Sequence, residues 1–272
     1  MGLAPKLCST YPTDYQLFTG EQIAVFCRFV FRESIEAQIH SCCKKKYYIC
    51  KSMKAIISGY GKMGHIIEKK LAEHGVELAL ASEDIQAVDP ALAKECVCID
   101  FTTPAAFRAN YKFIAANFKA AVIGTTGWND IQAEVVGEFA KCGTPMVFAS
   151  NFSIGVNALF AAVERTARVL KGHGYEPHIT ETHHIHKLDA PSGTAKSLGL
   201  LVQKELGAEP EIDSIREGEV PGIHTVEFRS GDDRLEFTHE AFSREGLAEG
   251  AVAAALLTEN MQGVHEFKDL IL

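Results

Sequence analysis

The chain has 272 residues, 47% of them apolar and 23% charged, which suits one large globular domain or two modest ones, each with its own core. Its 27 Lys and Arg against 35 Asp and Glu leave a net charge of −8, which argues against a nucleic-acid binder and against a membrane-surface protein. No uninterrupted apolar run reaches the roughly 18–20 residues of a membrane helix, so a cytoplasmic protein without a membrane partner is expected.

Residues 1–52 differ in character from the rest of the chain. They carry five of the eight cysteines, the run Cys42-Cys43-Lys44-Lys45-Lys46, and no clean strand–helix alternation. The apolar stretch 26–31 is short and contains Arg28, so it lacks the length of a secretory signal. We read this segment as a disordered extension or a mis-assigned start, with Met53 as the true first residue. Of the remaining cysteines, Cys96 and Cys98 fall in a predicted buried strand. They are read as reduced core residues pointing to opposite faces of the sheet.

From Met53 the pattern is regular. A β-rich run, Lys54-Ala55-Ile56-Ile57-Ser58, is followed at once by Gly59-Tyr60-Gly61-Lys62-Met63-Gly64 and then by apolar residues at helical spacing up to His74-Gly75. Strand, G-x-G-x-x-G and helix in that order form a dinucleotide-binding turn. Its glycines permit a tight bend and close backbone approach to a pyrophosphate, and the helix N-terminus presents free N–H groups. A second strand, 76–81, ends at Ser82-Glu83-Asp84. An acidic residue at this place holds the ribose hydroxyls, and Glu83 is the better candidate. No Lys or Arg stands there to meet a 2′-phosphate, which favours NADH while leaving NADPH possible.

Two continuous apolar runs come next, 96–101 and 121–124, as expected of parallel strands buried on both faces. Each ends in a small polar loop, Thr102-Thr103-Pro104 and Thr125-Thr126-Gly127, and the carboxyl ends of such strands are where ligands bind. Helices are predicted over 104–117 and 130–142, and a strand over 145–149. Residues 53–150 are therefore assigned to a dinucleotide-binding domain. The segment Ser150-Asn151-Phe152-Ser153-Ile154-Gly155-Val156-Asn157 makes the crossing to a substrate-binding and oligomerisation domain over 151–245. There, a helix over 158–170 precedes strands over 176–186, 212–216, 224–230 and 233–240, several with period-two alternation, so a mixed sheet with one wet face is expected. The Ala-rich stretch 248–260 reads as a helix, and 246–272 is expected to pack back on the first domain. The fold class is α/β, a Rossmann-type doubly wound parallel sheet plus an α+β substrate domain with an open mixed sheet.

The densest chemistry is His183-His184-Ile185-His186-Lys187-Leu188-Asp189-Ala190-Pro191-Ser192-Gly193-Thr194-Ala195, between a predicted strand and a helix over 195–206. A histidine near its ordinary pKa of about 6.5 can deliver a proton at neutral pH. A Lys and a second His can hold one carboxylate, and a Ser-Gly-Thr turn at a helix start another. The residue types thus describe a dicarboxylate site with a proton donor. A metal shared by His184 and His186 would want a third protein ligand and would sit beside Lys187, so no metal is expected. A non-catalytic dinucleotide sensor would have no use for His183 and Lys187. A dehydrogenase of aspartate or homoserine would have no reason to carry the paired histidines.

This motif closely resembles the signature of the 4-hydroxy-tetrahydrodipicolinate (dihydrodipicolinate) reductase family. The resemblance runs from about Met53 to the C-terminus and covers nothing in residues 1–52. It also takes in Gly59 to Gly64, Asp100-Phe101-Thr102, Gly124-Thr125-Thr126, Asn151 to Asn157, His224-Thr225-Val226 and Gly250-Ala251-Val252. It implies that His183 is the proton donor and Lys187 a second donor or substrate polariser. It implies that His184, Gly193 and Thr194 contact substrate carboxylates. Gly124, Thr125 and Thr126, with Ala149, Ser150, Asn151 and Phe152, would lie at the nicotinamide. The implied reaction is the NADH- or NADPH-dependent reduction of 4-hydroxy-tetrahydrodipicolinate with loss of water, in lysine biosynthesis through diaminopimelate, by a homotetramer. Two departures stand out: the chain between 81 and 96 is shorter than in many members, and Asp84 stands where a basic residue often follows the acidic one.

Overall fold

The computed structural model describes residues 53–272, so the readings made on residues 1–52 lie outside it. It opens with β1 (Lys54–Ser58), α1 (Lys62–Glu73) and β2 (Glu77–Ser82), then a short 3₁₀ turn, α2 (Pro90–Ala93) and β3 (Cys96–Asp100). Next come α3 (Pro104–Asn117), β4 (Ala120–Ile123), α4 (Gln132–Cys142) and β5 (Met146–Phe148). The second half holds α5 (Ile154–Leu170), β6 (Glu176–His183), α6 (Gly193–Leu206), β7 (Glu211–Arg216), β8 (Gly222–Arg229) and β9 (Arg234–Ala241). It closes with α7 (Glu245–Leu257), β10 (Val264–Glu266) and α8 (Phe267–Ile271).

The first sheet has six parallel strands in the order β10-β5-β4-β3-β1-β2. β1 lies one strand in from an edge, with β2 outside it and β3, β4, β5 and β10 added in turn on its other side, so the carboxyl ends of β1 and β4 flank that of β3. Every residue of β3 and β4 is buried, in keeping with sequences that are apolar throughout except for Asp100. One face packs on α1 and α7, with Ile67, Leu71, Val252 and Phe267 in the core. The other packs on α3 and α4, around Phe107, Tyr111 and Phe139. Cys96 and Cys98 both belong to this second core, which corrects the expectation that they face opposite ways. Side chains two apart on a strand point to the same side.

The second sheet has the order β7-β6-β8-β9, with β6 and β7 parallel and the other pairs antiparallel. Helices α5 and α6 cover one face, burying Val163, Leu198, Val202 and Phe228. The alternation of β8 matches this one-sided burial, since the residues at Gly222, His224, Val226 and Phe228 are buried and those between them are not. β10 was not foreseen in the sequence. Three residues at the sheet edge, only partly buried, carry no periodicity to detect.

Strand β6 ends at His183 rather than at residue 186. His183 still pairs with β7, its carbonyl accepting from Glu217 N at 2.8 Å, but Lys187 N then donates to His184 O at 3.1 Å and turns the chain. His184 to Lys187 therefore occupy a loop instead of alternating across a sheet. Ser192 caps α6, its hydroxyl accepting from Ala195 N at 3.2 Å, so the helix begins at Gly193, two residues earlier than the sequence suggests.

Candidate active site

The glycine turn is built as its sequence requires. Gly59 has φ +86, and a Cβ there would lie 2.7 Å from Phe101 O, so any other residue would force β1 and β3 apart. A Cβ on Gly61 would meet nothing within 4 Å. The close packing that glycine allows at that position is thus not with protein. Gly61 is also the N-cap of α1, which has no side-chain cap and no acidic residue in its first turn. Its first N–H groups are left for an anion. Tyr60 and Met63 face the protein, the former through a hydroxyl bond to Glu68 and a ring contact with His65, the latter against the core; Lys62 is exposed. Glu83 accepts from Tyr60 N at 2.8 Å, tying the end of β2 to the glycine turn. Asp84 instead caps the following 3₁₀ turn by accepting from Gln86 N at 3.1 Å. These residues fit a dinucleotide: a free helix start, a backbone that can be approached closely, and an acidic group beside it.

At the adjacent strand ends Asp100 is fully buried and receives Ser58 Oγ at 2.8 Å and Thr125 Oγ1 at 2.5 Å, while Thr102 N donates to Thr125 Oγ1 at 2.7 Å. Burial raises the Asp100 pKa, against the pull of these hydrogen bonds. The side chain of Asp100, at the end of β3, therefore clips the ends of β1 and β4 to its own strand. Gly124 sits against the Phe101 ring, where a Cβ would come within 2.2 Å. Thr126 joins Thr125, Ala149 and Ser150 in lining a cleft of about 190 Å³ at the ends of β4 and β5. Phe152 is a core residue, packed between Phe101 and Phe267.

Asn151 connects this region to the histidines. It lines a cavity of about 310 Å³ together with Ala149 and Ser150, and a second of about 350 Å³ together with His183 and Thr194. Its side-chain amide lies 3.4 Å from Thr194 Oγ1. The larger cavity is walled by β8, β9 and the start of α7, which contribute His224, His239 and Arg244. The structure thus brings together His183, Thr194 and Asn151 from the sequence-predicted set. It places Gly193 beside Thr194 at the start of α6.

Lys187 and His184 lie off that wall. The Lys187 ammonium pairs with Asp189 at 2.8 Å, and the buried His184 Nδ1 has no protein partner among the described residues. His186 is exposed and pairs with Glu219 at 3.1 Å. Among the described residues no group of three or more metal-ligating side chains comes together.

Sequence reasoning missed Glu181 and Arg216 beside His183. Its Nδ1 is hydrogen-bonded to the carboxylate of Glu181, which is completely buried. The other Glu181 oxygen accepts from Arg216 Nη2 at 2.8 Å and from Ser192 N at 3.2 Å. Burial alone would raise the Glu181 pKa. The hydrogen bonds from Arg216, Ser214 and His183 outweigh it and hold the carboxyl at about 2. Burial lowers the pKa of His183, Glu181 opposes that, and Lys187 and Arg216 add to it, so the imidazole is neutral near pH 7 in the free protein. His224, 5.1 Å away ring to ring, is lowered to about 4 chiefly by burial, and its Nε2 lies 3.1 Å from Ser192 Oγ. The local signal for Glu181 was its place two residues before His183 on one strand face. Arg216 comes from a neighbouring strand, and nothing in the local sequence points to it.

Comparison with known proteins agrees with this architecture. The dihydrodipicolinate reductase N-terminus profile matches residues 53–152, and the C-terminus profile matches residues 155–271. The 4-hydroxy-tetrahydrodipicolinate reductase of Christiangramia forsetii is 37% identical over 237 residues, covering 80% of this chain and 98% of its own. That of Methanopyrus kandleri is 37% identical over 221 residues, covering 74% and 78%. In fold, the chain is similar to a dipicolinate-bound dihydrodipicolinate reductase from Paenisporosarcina sp. TG-14, with TM-score 0.69, 19% identity, and 81% of this chain and 99% of that one covered. It is also similar to GenD2 from gentamicin A biosynthesis in complex with NAD, with TM-score 0.55, 13% identity and coverage of 80% and 90%. The chain belongs to the dihydrodipicolinate reductase family of oxidoreductases.

Proposed function

We propose that this chain reduces 4-hydroxy-2,3,4,5-tetrahydrodipicolinate to 2,3,4,5-tetrahydrodipicolinate with loss of water, in the diaminopimelate route to lysine, with NADH preferred over NADPH. The observation that carries the reading is the placement of His183. It stands in the wall of a cavity that also holds Thr194 and shares Asn151 with a second cavity, which in turn shares Ala149 and Ser150 with the cleft at the ends of β4 and β5.

A reduced nicotinamide supplies the hydride when bound. The chain's own residues hold the dicarboxylate and deliver the proton. Thr194 and the Gly193 backbone, at the N-terminus of α6, receive one carboxylate through N–H donors and the helix dipole. His184 contributes to the same dianion from the loop. His183 is the proton donor: neutral in the free site, it becomes charged when a dianion arrives beside it, so the proton enters with the substrate. Lys187 exchanges Asp189 for the substrate and acts as second donor or polariser. Hydride and proton enter and water leaves, which balances the reaction.

The cofactor preference rests on Glu83 and Asp84, two carboxylates at the end of β2 with no cation following them in sequence. They suit ribose hydroxyls and repel a 2′-phosphate. Gly59 to Gly64 carry the pyrophosphate, and the loop 124–126 with residues 149–152 lies at the nicotinamide. We further assign assembly as a homotetramer to the uncovered face of the second sheet, where Ile215 is exposed. Among the described residues no helix is long and apolar enough to cross a membrane.

The test is a coupled assay in which fresh substrate is formed from pyruvate and aspartate semialdehyde, run with NADH and NADPH in parallel. Oxidation of cofactor is expected only when both precursors are present, with higher kcat/KM for NADH. Absence of turnover with either cofactor would reject the reaction, and a higher value with NADPH would reject the preference. Light scattering of the purified protein is expected to give four times the chain mass.

A further inference from the structure

Among the described residues, Glu181 is the only completely buried acidic side chain in the second sheet, and its surroundings fix how each oxygen is used. One oxygen faces two groups that can only donate, the Arg216 guanidinium and the Ser192 N–H. The other faces His183 Nδ1. A carboxylate accepts at both ends, so Nδ1 must carry its hydrogen, and Nε2 is the nitrogen left on the cavity side. Gly222 borders that nitrogen: a Cβ there would lie 3.0 Å from His183 Nε2, so the glycine keeps the approach open.

We propose that Glu181 is a positioning residue that fixes His183 with Nδ1 protonated and Nε2 presented to the cavity, and that Arg216 sets how strongly it does so. The consequence for rate rests on the reaction proposed above; the consequence for the imidazole does not. The charged and titratable groups around His183 are Lys187 and Asp189 from the loop after β6, Arg216 from β7 and His224 from β8. His239 and Glu240 from β9, and Arg244 before α7, line the same cavity. Only Glu181 among them accepts a hydrogen bond from the imidazole.

The experiment uses the full chain with ¹⁵N-labelled histidine, with His183 assigned by loss of its signals in His183→Gln. In the parent protein Nδ1 is expected to be protonated and Nε2 bare at pH 7.5. In Glu181→Gln the amide oxygen must turn to Arg216 and Ser192 N, which leaves its NH₂ group against Nδ1. The tautomer is therefore expected to reverse. In the coupled assay kcat is expected to fall about 10²–10⁴-fold with KM for NADH within twofold, and the alkaline limb of kcat/KM is expected to move to lower pH. Arg216→Met keeps the carboxylate and removes a cation, so Nδ1 is expected to stay protonated and the alkaline limb to move to higher pH. This second variant carries the test if Glu181→Gln fails to fold by circular dichroism. An unchanged tautomer in Glu181→Gln, or an alkaline limb that does not move in Arg216→Met, would overturn the proposal. Failure of the parent enzyme to turn over substrate would overturn the proposed reaction and leave the tautomer result standing.

Discussion

His183 sits where burial and a buried anion act in opposite directions on one proton. Burial wins in the free protein, which suits a donor that should charge only when substrate is present. Replacing it by His183→Gln removes the proton source and is expected to lower kcat by about 10² or more, measured in the coupled assay. A variant with parent turnover would remove His183 from that role. Gly222 offers a subtler test. The Cβ of Gly222→Ala would press on Nε2 at 3.0 Å and displace the ring by a few tenths of an ångström. We expect kcat to fall about 10- to 100-fold with the tautomer unchanged, since small misplacements of a reacting group are costly. The residue scale is also where the sequence was least complete. His183 stood out because histidines, a lysine and a Ser-Gly-Thr turn cluster in sequence. Arg216 joins the same carboxylate only because β7 pairs beside β6 in register, with Arg216 opposite His183.

Two elements expose reactive chemistry by how they begin. Helix α1 starts at an uncapped glycine and α6 at Ser192, and both point their N-termini toward sites where anions are expected. The capping hydroxyl of Ser192 also lies 3.1 Å from His224 Nε2, so the residue serves helix and site together. Ser192→Ala is expected to cost about 1 kcal/mol of stability, read as a shift of a few degrees in Tm, and to raise KM for substrate while leaving KM for NADH unchanged. At the other element, Glu83 holds the glycine turn through Tyr60 N and is proposed to hold the ribose. Glu83→Ala is expected to raise KM for NADH several-fold and to narrow the gap to NADPH; an unchanged ratio of the two would place the ribose elsewhere. The glycine turn was legible in sequence because strand, spacing and helix agree. The loop after His183 was not, because whether a chain stays extended or turns is decided by the partner strand it meets.

Across the whole molecule, buried titratable groups tie stability to pH. His224 has a folded pKa of about 4 against an ordinary 6.5. The unfolded chain therefore takes up the proton first, and stability is lost as pH falls from 6.5 to 4, by about 3 kcal/mol at most. Glu181, held at about 2 against 4.5, contributes stability that is complete above pH 4.5 and is lost as pH falls toward 2. Urea midpoints measured from pH 7.5 downward are expected to decline throughout this range, and His224→Asn is expected to flatten the part above pH 4. A parent profile flat between pH 6.5 and 4 would contradict a neutral buried His224.

Sequence alone determined the alternation of strands and helices from Met53, the parallel sheet, the glycine turn and the polar cluster that opens at His183, because each of these is encoded in residues close together along the chain. The two-residue spacing of Cys96 and Cys98 is equally local, and strand periodicity places both on one face, against the expectation drawn for them. Tertiary structure decided the rest. The addition of β10 at the sheet edge and the arrival of Arg216 from β7 and His224 from β8 beside Glu181, His183 and Ser192 join residues far apart in sequence. Pairing of that kind is set by strand register and by the burial of whole faces. Those are properties of the assembled sheets, which no local run of residues records.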